Sequence, residues 1–246
     1  MKLTVLGSGG SSQTVDRACS SFLIDDSILI DVGPGSYRNL LKAQADPLKI
    51  KAILLTHLHG DHFFDIGTLI WGMSYLQRTE SLAVIGPFGT QSMVRGVLSL
   101  ANTPPTFMKF SLEFIEIKPG DEFNFQGLKV VTGAGRHAIE DIAYRIGDIC
   151  YTGDTSPSDS IVELASGSGL LIHEASGLAE NEDLLQKVGH SSSRQAAQIA
   201  SRANVKRLLL SHITPAISKR EGELINQARE VFNEVEIARD LLSIKI

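Results

Sequence analysis

The run His57-Leu58-His59-Gly60-Asp61-His62, entered from the apolar stretch Ala52-Ile53-Leu54-Leu55-Thr56, decides how the rest of this sequence is read. It holds three of the chain's seven histidines. Imidazole nitrogen and carboxylate oxygen are the usual ligands for zinc and neighbouring divalent ions, and catalytic sites keep a coordination position open. A short apolar run bounded by polar residues reads as a buried strand. A strand ending at Thr56 would deliver all four donors into one loop. The competing reading is a polar loop that happens to be rich in histidine. Four donors within six residues weigh against it.

Working outward, each remaining histidine follows or ends a strand-like segment. His137 comes after Leu128-Lys129-Val130-Val131 and the turn Gly133-Ala134-Gly135; His173 closes Leu170-Leu171-Ile172. His190 lies in Gly189-His190-Ser191-Ser192, and His212 ends Arg207-Leu208-Leu209-Leu210-Ser211. Asp154, in Tyr151-Thr152-Gly153-Asp154-Thr155, also stands just past a strand. Ligands of open α/β sheets bind beyond the carboxyl ends of strands, so these residues are candidates for one site.

The order of HxHxDH, a later histidine, an aspartate in a Gly-Asp-Thr turn and a final histidine resembles the metallo-β-lactamase superfamily. The resemblance implies an α/β fold, a four-layer αββα sandwich, with two metal ions held between its halves. Carried over by position, it places His57, His59 and His137 on one metal, Asp61, His62 and His212 on the other, and Asp154 between them. Ile172-His173-Glu174-Ala175-Ser176 and Gly189-His190-Ser191-Ser192 are similar to motifs of the ribonuclease Z-like branch. Asp31, in Leu29-Ile30-Asp31-Val32-Gly33, matches the aspartate that opens the superfamily's motif series. A homodimer is expected from the same resemblance and from the prevalence of twofold assemblies.

Two departures bear on substrate. The transfer RNA processing enzymes of that branch carry a long glycine-rich arm between the positions of His137 and Asp154. Here only the hairpin Ile142 to Tyr151 fits. Ser11-Ser12-Gln13-Thr14-Val15-Asp16-Arg17 also replaces the proline-containing segment usual in those enzymes.

The 246 residues admit two domains or one large α/β unit, and one domain over residues 1–246 is expected. With 43 % hydrophobic and 21 % charged residues, long disorder is disfavoured. No apolar run approaches the ~18 residues of a membrane span. Met1 to Gly7 passes straight into strand-like residues without a signal-peptide pattern. Cys19 and Cys150 fit small buried residues of a reducing cell, so a cytoplasmic location is expected. The net charge of −5, with cations dispersed from Arg136 to Arg220, disfavours stable duplex nucleic acid as a partner. Two divalent ions would offset that charge locally, leaving an anionic substrate acceptable.

Lys2 to Leu6, Ser21 to Ile24 and Ser27 to Asp31 read as an opening meander, and Gly7-Ser8-Gly9-Gly10-Ser11-Ser12 as a tight turn rather than a phosphate loop, because no helix follows. Helical spacing is expected over Ser36 to Lys42, Phe63 to Tyr75, Thr90 to Ala101, Ser192 to Ala203 and Arg220 to Phe232. Strands are expected at Leu82 to Ile85, from Leu112, at Val235 to Ile237 and near the end from Leu241. Phe107 and Met108 read as core in preference to a substrate rim.

Two divalent ions at such a site activate water near neutral pH and stabilise charge on attacking and departing oxygens. Asp61 would both ligate and aim the nucleophile, and Asp154 can bridge because a carboxylate has two oxygens. Glu174 beside His190 supplies a proton donor for an alkoxide leaving group. The bland alternative has His190 capping a helix and Glu174 pairing with an arginine. His173 reads as structural, Asp31 as orienting a ligand histidine. The expectation is a metal-dependent phosphodiesterase acting on small or single-stranded phosphodiesters. Alternatives are a carboxyl-ester, lactone or thioester hydrolase, or a transfer RNA 3′ processing endoribonuclease. A non-enzymatic metal sensor is disfavoured by the complete donor set. So is an iron redox role, since the related diiron proteins place a glutamate where His59 stands. Zinc is the expected metal, although manganese and iron suit the same donors.

Overall fold

The computed structural model describes residues 1–246, and its strands form two seven-stranded sheets. The first contains β1 (Lys2–Gly7), β2 (Ser21–Ile24), β3 (Ile28–Ile30), β4 (Ala52–Leu54), β5 (Leu82–Gly86) and β6 (Leu112–Glu116), adjacent in that order. The second contains β7 (Glu122–Phe125), β8 (Leu128–Ala134), β9 (Ile142–Ile146), β10 (Ile149–Tyr151), β11 (Leu170–Glu174), β12 (Leu208–Ser211) and β13 (Val235–Ile237). A last strand, β14 (Ser243–Lys245), returns to pair antiparallel with β1. Each sheet begins antiparallel and turns parallel, at β3–β4 in one and β10–β11 in the other.

Alternation along the strands builds the layers, because successive side chains point to opposite faces. Leu3, Val5, Ile28 and Ile30 face the second sheet, where they meet Tyr144, Tyr151, Leu170, Ile172 and Leu209. Their neighbours Leu6, Leu29 and Ile53 face outward to α1 (Ser36–Lys42), α3 (Ile66–Tyr75) and α4 (Thr90–Leu100). On the far side Cys150, Leu171, Leu208 and Leu210 meet α5 (Asp159–Ala165), α7 (Ser193–Arg202) and α8 (Glu221–Arg229). The four-layer αββα sandwich expected from the sequence is the fold. Two short helices complete it, α2 (Gly60–Phe63) and α6 (Glu182–Lys187).

Bonds at the strand preceding His57 join the sheets beneath one edge of the sandwich. The Tyr144 hydroxyl donates to the Leu55 carbonyl at 2.7 Å, and the Ile142 N–H donates to the Thr56 carbonyl at 2.9 Å. They set the second sheet's height against the strand that precedes His57.

The helix expected over Phe63 to Tyr75 is instead two, broken at Phe64 and Asp65. Asp65 is taken up by tertiary bonds: its carboxylate accepts the Tyr37 N–H at 2.9 Å, and its N–H donates to the Val32 carbonyl. Since α2 begins at Gly60, Asp61 and His62 stand in a helical turn rather than a loop. The N-terminus of α7 follows expectation, with Ser192 and Gln195 forming a capping box. Met108 packs against the outer apolar layer, and Phe107 lies against Trp71 with ring centroids 4.8 Å apart.

Candidate metal centre

The carboxyl ends of β3, β4, β8, β10, β11 and β12 all open on one edge of the sandwich, and they carry Asp31, the 57–62 run, His137, Asp154, Glu174 and His212. Donor atoms of His57, His59 and His137 lie within 4.8 Å of one another, as do those of Asp61, His62, Asp154 and His212. Asp154 stands between the groups. Its Oδ1 is 3.4 Å from His62 Nε2, while its Oδ2 is 3.2 Å from His212 Nε2 and 3.8 Å from His57 Nε2.

The far nitrogens of these imidazoles are already engaged, which fixes the nitrogen left for a ligand. His62 Nδ1 lies 2.8 Å from Asp31, whose carboxylate also accepts the Thr56 and Tyr151 hydroxyls. His137 Nδ1 donates to the Gly189 carbonyl at 2.9 Å, and His212 Nδ1 lies 2.9 Å from Ser176 Oγ. His57 Nδ1 lies 2.9 Å from Asp141. His59 differs: its Nδ1 turns inward, 3.1 Å from His137 Nε2.

Three of the inward atoms, His57 Nε2, His62 Nε2 and Asp154 Oδ1, are buried without a hydrogen-bond partner. Buried polar atoms rarely go unpaired, and three facing one another constitute a strong demand for a bound group. Only imidazoles lie within ion-pair range of Asp61 and Asp154. The donor set therefore fits divalent cations. Electrostatics agree. Burial, aided by His62, pushes His57 down to about 4, so its lone pair is free at neutral pH. Burial would also lower His62, but Asp154 and Asp31 hold it well above the ordinary imidazole range. Asp154 lies well below the carboxylate range, because His212 and His62 outweigh its burial. This is the field of a site built for positive charge.

Beside these donors, His190 Nδ1 lies 2.9 Å from Glu174 Oε1. Glu174 is buried and saturated: Oε1 also accepts the Thr155 N–H at 2.8 Å, and Oε2 accepts the Ser176 hydroxyl at 2.6 Å. His190 is 17 % exposed, at the mouth of the site. Burial opposes its protonation, but the bond to Glu174 raises it to about 9. The alternative pairing of Glu174 with an arginine is absent, and α7 is capped by Ser192 rather than His190. His173 is buried, with Nδ1 2.8 Å from the Glu174 carbonyl and Nε2 without a hydrogen-bond partner.

The turn from Gly7 to Ser12 forms a wall of the site, a role its sequence did not disclose. The Ser11 N–H donates to Asp61 Oδ2 at 2.8 Å, and a Cβ at Gly10 would lie 2.2 Å from the His212 ring. Asp31 and His212 both adopt left-handed backbone, φ 54° and 57°, a cost tolerated where surroundings dictate it. Asp141 and Ser176 were likewise missed as partners of the histidines. Asp141 belongs to no spacing pattern that sequence could flag; Ser176 closes the Ile172-to-Ser176 motif, but that motif does not reveal that its hydroxyl meets His212.

A sandwich of two mixed sheets with two clusters of histidine and aspartate at its strand ends is the architecture of the metal-dependent hydrolases with αββα layering. The model of the beta-lactamase superfamily domain matches residues 26–213, and the chain belongs to that superfamily, on its metallo-β-lactamase side. It is similar to ribonuclease Z of Methanothermobacter thermautotrophicus, 27 % identical with 100 % of this chain and 97 % of the relative covered. Ribonuclease Z of Bacillus thuringiensis strain Al Hakam is 29 % identical, with 100 % and 99 % covered. The short form of human tRNase Z superposes with a TM-score of 0.85 at 26 % identity, covering 100 % of this chain and 99 % of that one. The metallo-beta-lactamase fold protein YhfI from Bacillus subtilis gives 0.82 at 25 %, covering 99 % and 98 %. The chain is a ribonuclease Z-like hydrolase dependent on divalent metal. The archaeal alignment spans 301 positions against the 246 residues here, so at least 55 of its positions have no counterpart in this chain. No helix is long and apolar enough to cross a membrane.

Proposed function

We propose that this chain is a dinuclear phosphodiesterase acting on small or single-stranded phosphodiesters, with His57, His59 and His137 on one ion, Asp61, His62 and His212 on the other, and Asp154 shared. Zinc is the metal assigned. The observation that carries the reading is the His190–Glu174 pair at 2.9 Å beside the donor set. A proton donor at that place serves a poor alkoxide leaving group, which phosphodiesters have and thioesters lack; carboxyl esters and lactones share it, and the kinetic comparison below separates them.

The ions would supply activated water and charge stabilisation at the phosphoryl oxygens. This chain's own residues do the rest. Asp61, held by the Ser11 N–H, accepts a hydrogen bond from the nucleophile and aims it. Asp31, Asp141, Gly189 and Ser176 fix the imidazoles so that no reorganisation is needed during reaction. His190, kept protonated at Nδ1 by Glu174, passes its Nε2 proton to the departing oxygen. The chain is read as one domain, cytoplasmic and homodimeric.

The names of the relatives favour a second reading, transfer RNA 3′ processing. Against it stand the β9–β10 connection, a two-residue turn at Gly147-Asp148, and the negative net charge of −5. Binding a folded RNA needs remote contacts to position the scissile bond. Metal analysis together with steady-state kinetics on precursor transfer RNA, 2′,3′-cyclic and 3′,5′-cyclic nucleotides, and a lactone tests the choice. About two ions per chain and the highest kcat/KM on a small diester are expected. A higher kcat/KM on the precursor, cut at its 3′ side, would establish the processing role instead.

A further inference from the structure

We propose that Asp141 is the positioning residue of the His57 side of the metal centre, setting the tautomer, orientation and basicity of His57 while holding the backbone of Asp154. The inference rests on the metal-centre reading above.

His57 Nδ1 has two partners, Thr56 Oγ1 at 3.0 Å and Asp141 Oδ2, while Asp141 Oδ1 is buried without a hydrogen-bond partner. Asp141 Oδ2 lies 2.9 Å from His57 Nδ1 and also accepts the Asp154 N–H at 3.1 Å. One oxygen thus ties a terminal donor of one cluster to the residue shared by both. The backbone holds it there: the Asp141 carbonyl accepts the Gly135 N–H at 3.0 Å, and Ile142 donates across the sheets to Thr56, the residue before His57. Both side chains of the pair are 0 % exposed.

Two glycines corroborate the placement. A Cβ at Gly135 would stand 2.4 Å from the Asp141 carboxylate, and one at Gly153 2.5 Å from it. Gly153 also has φ +61°, where side chains are disfavoured. The segments bearing His137 and Asp154 therefore each vacate room for this one carboxyl group. Such crowding is needless for a turn aspartate, and the adjacent Glu140 is exposed.

A carboxylate behind a ligating imidazole fixes which nitrogen faces the metal and strengthens it as a donor. Asp31 does this for His62 from the first sheet; Asp141 does it for His57 from the second. The two sides of the centre are thereby anchored by different sheets, and the inter-sheet bond Ile142–Thr56 keeps them in step.

Asp141→Asn is the sharp test, because its amide oxygen can take the Oδ2 position and retain both bonds while the carboxyl group itself is lost. Asp141→Ala removes the bonds as well, and Glu140→Gln serves as control. Zinc affinities are measured by competition with a chromogenic chelator, and melting of the metal-free proteins by circular dichroism. Expected for Asp141→Asn is a loss of ~10–100-fold at one of the two zinc positions, the other within ~3-fold, with Asp141→Ala losing more. The metal-free Asn variant should melt within about 4 °C of wild type. Unchanged zinc affinities, or equal weakening at both positions with a lower metal-free melting temperature, would overturn the assignment and make Asp141 merely structural. If the wild-type chain itself takes up no zinc, the metal-centre reading falls and this inference with it.

Discussion

Removing His190 should cost most where the leaving group most needs a proton. His190→Ala deletes the imidazole whose Nδ1 is bonded to Glu174 at 2.9 Å and whose other edge faces the mouth of the site. General-acid catalysis contributes ~10²–10⁴-fold, so turnover of a dialkyl phosphodiester or cyclic nucleotide should fall by about that factor. A bis(p-nitrophenyl) diester leaves as a stabilised phenolate and should slow by less than about tenfold. Glu174→Gln keeps the shape but replaces the anion that steadies His190, and should reproduce part of the loss. Because the two act as one unit, the double variant should be no slower than His190→Ala by more than ~3-fold. The assay is kcat/KM for both substrates with metal content measured on each variant, since Glu174 also reaches His212 through Ser176. Equal losses on the two substrates at equal metal content, or additive losses in the double variant, would refute the proton-donor role.

Two glycine substitutions should act in opposite directions. At Gly10 an alanine Cβ would lie 2.2 Å from the His212 ring, so metal uptake and activity should collapse together; Gly96, inside α4 with nothing within 4 Å, should tolerate alanine and gain ~0.5–1 kcal/mol, a rise of a few degrees in Tm. Glu221 tests the ion pairs that hold the 11–18 segment to α8: burial alone would raise its carboxyl, but the hydrogen bond and charge of Arg17, with Arg239, hold it below the ordinary range. A depressed carboxyl contributes stability above its unfolded pKa and loses it as pH falls through the folded value. Glu221→Gln should therefore destabilise in urea melts at pH 7 and cease to matter well below pH 4; a difference that persists undiminished at pH 3 would show that packing, not charge, is responsible.

What could be read from the sequence was whatever is local. Alternation in Leu3 to Leu6 and Leu170 to Ile172 assigns faces without a partner in view, and the capping pattern at Ser192 needs only its own turn. The HxHxDH run holds its donors within one strand end and one helical turn, so its spacing is itself the geometry. The helix α5 went unread although α1, equally short, was legible; the adjacent β-branched pair Ile161-Val162 weakens its local helix signal. The break at Asp65 escaped for another reason, since the bonds that interrupt the helix come from Val32 and Tyr37, far away in the chain.

Asp141, Ser176 and Gly10 belong to the same second kind. Each acquires its meaning only when a residue from another strand end arrives beside it: His57 for Asp141, His212 for Ser176 and Gly10. The division follows from how the site is built. Ligands sit on the ends of strands whose registers are fixed by buried faces, and a one-residue slip would turn every such side chain to the other face. Metal donors are therefore positioned by the same alternation that packs the core, and both are legible together. Substrate choice draws on different material, the irregular connections at the rim. At the β9–β10 connection this chain has a two-residue turn, in the interval where the resemblance to the processing enzymes implies an arm. Chemistry and substrate are thus set by separable parts of the fold, and shortening a connection can change the second while every donor of the first stays in place.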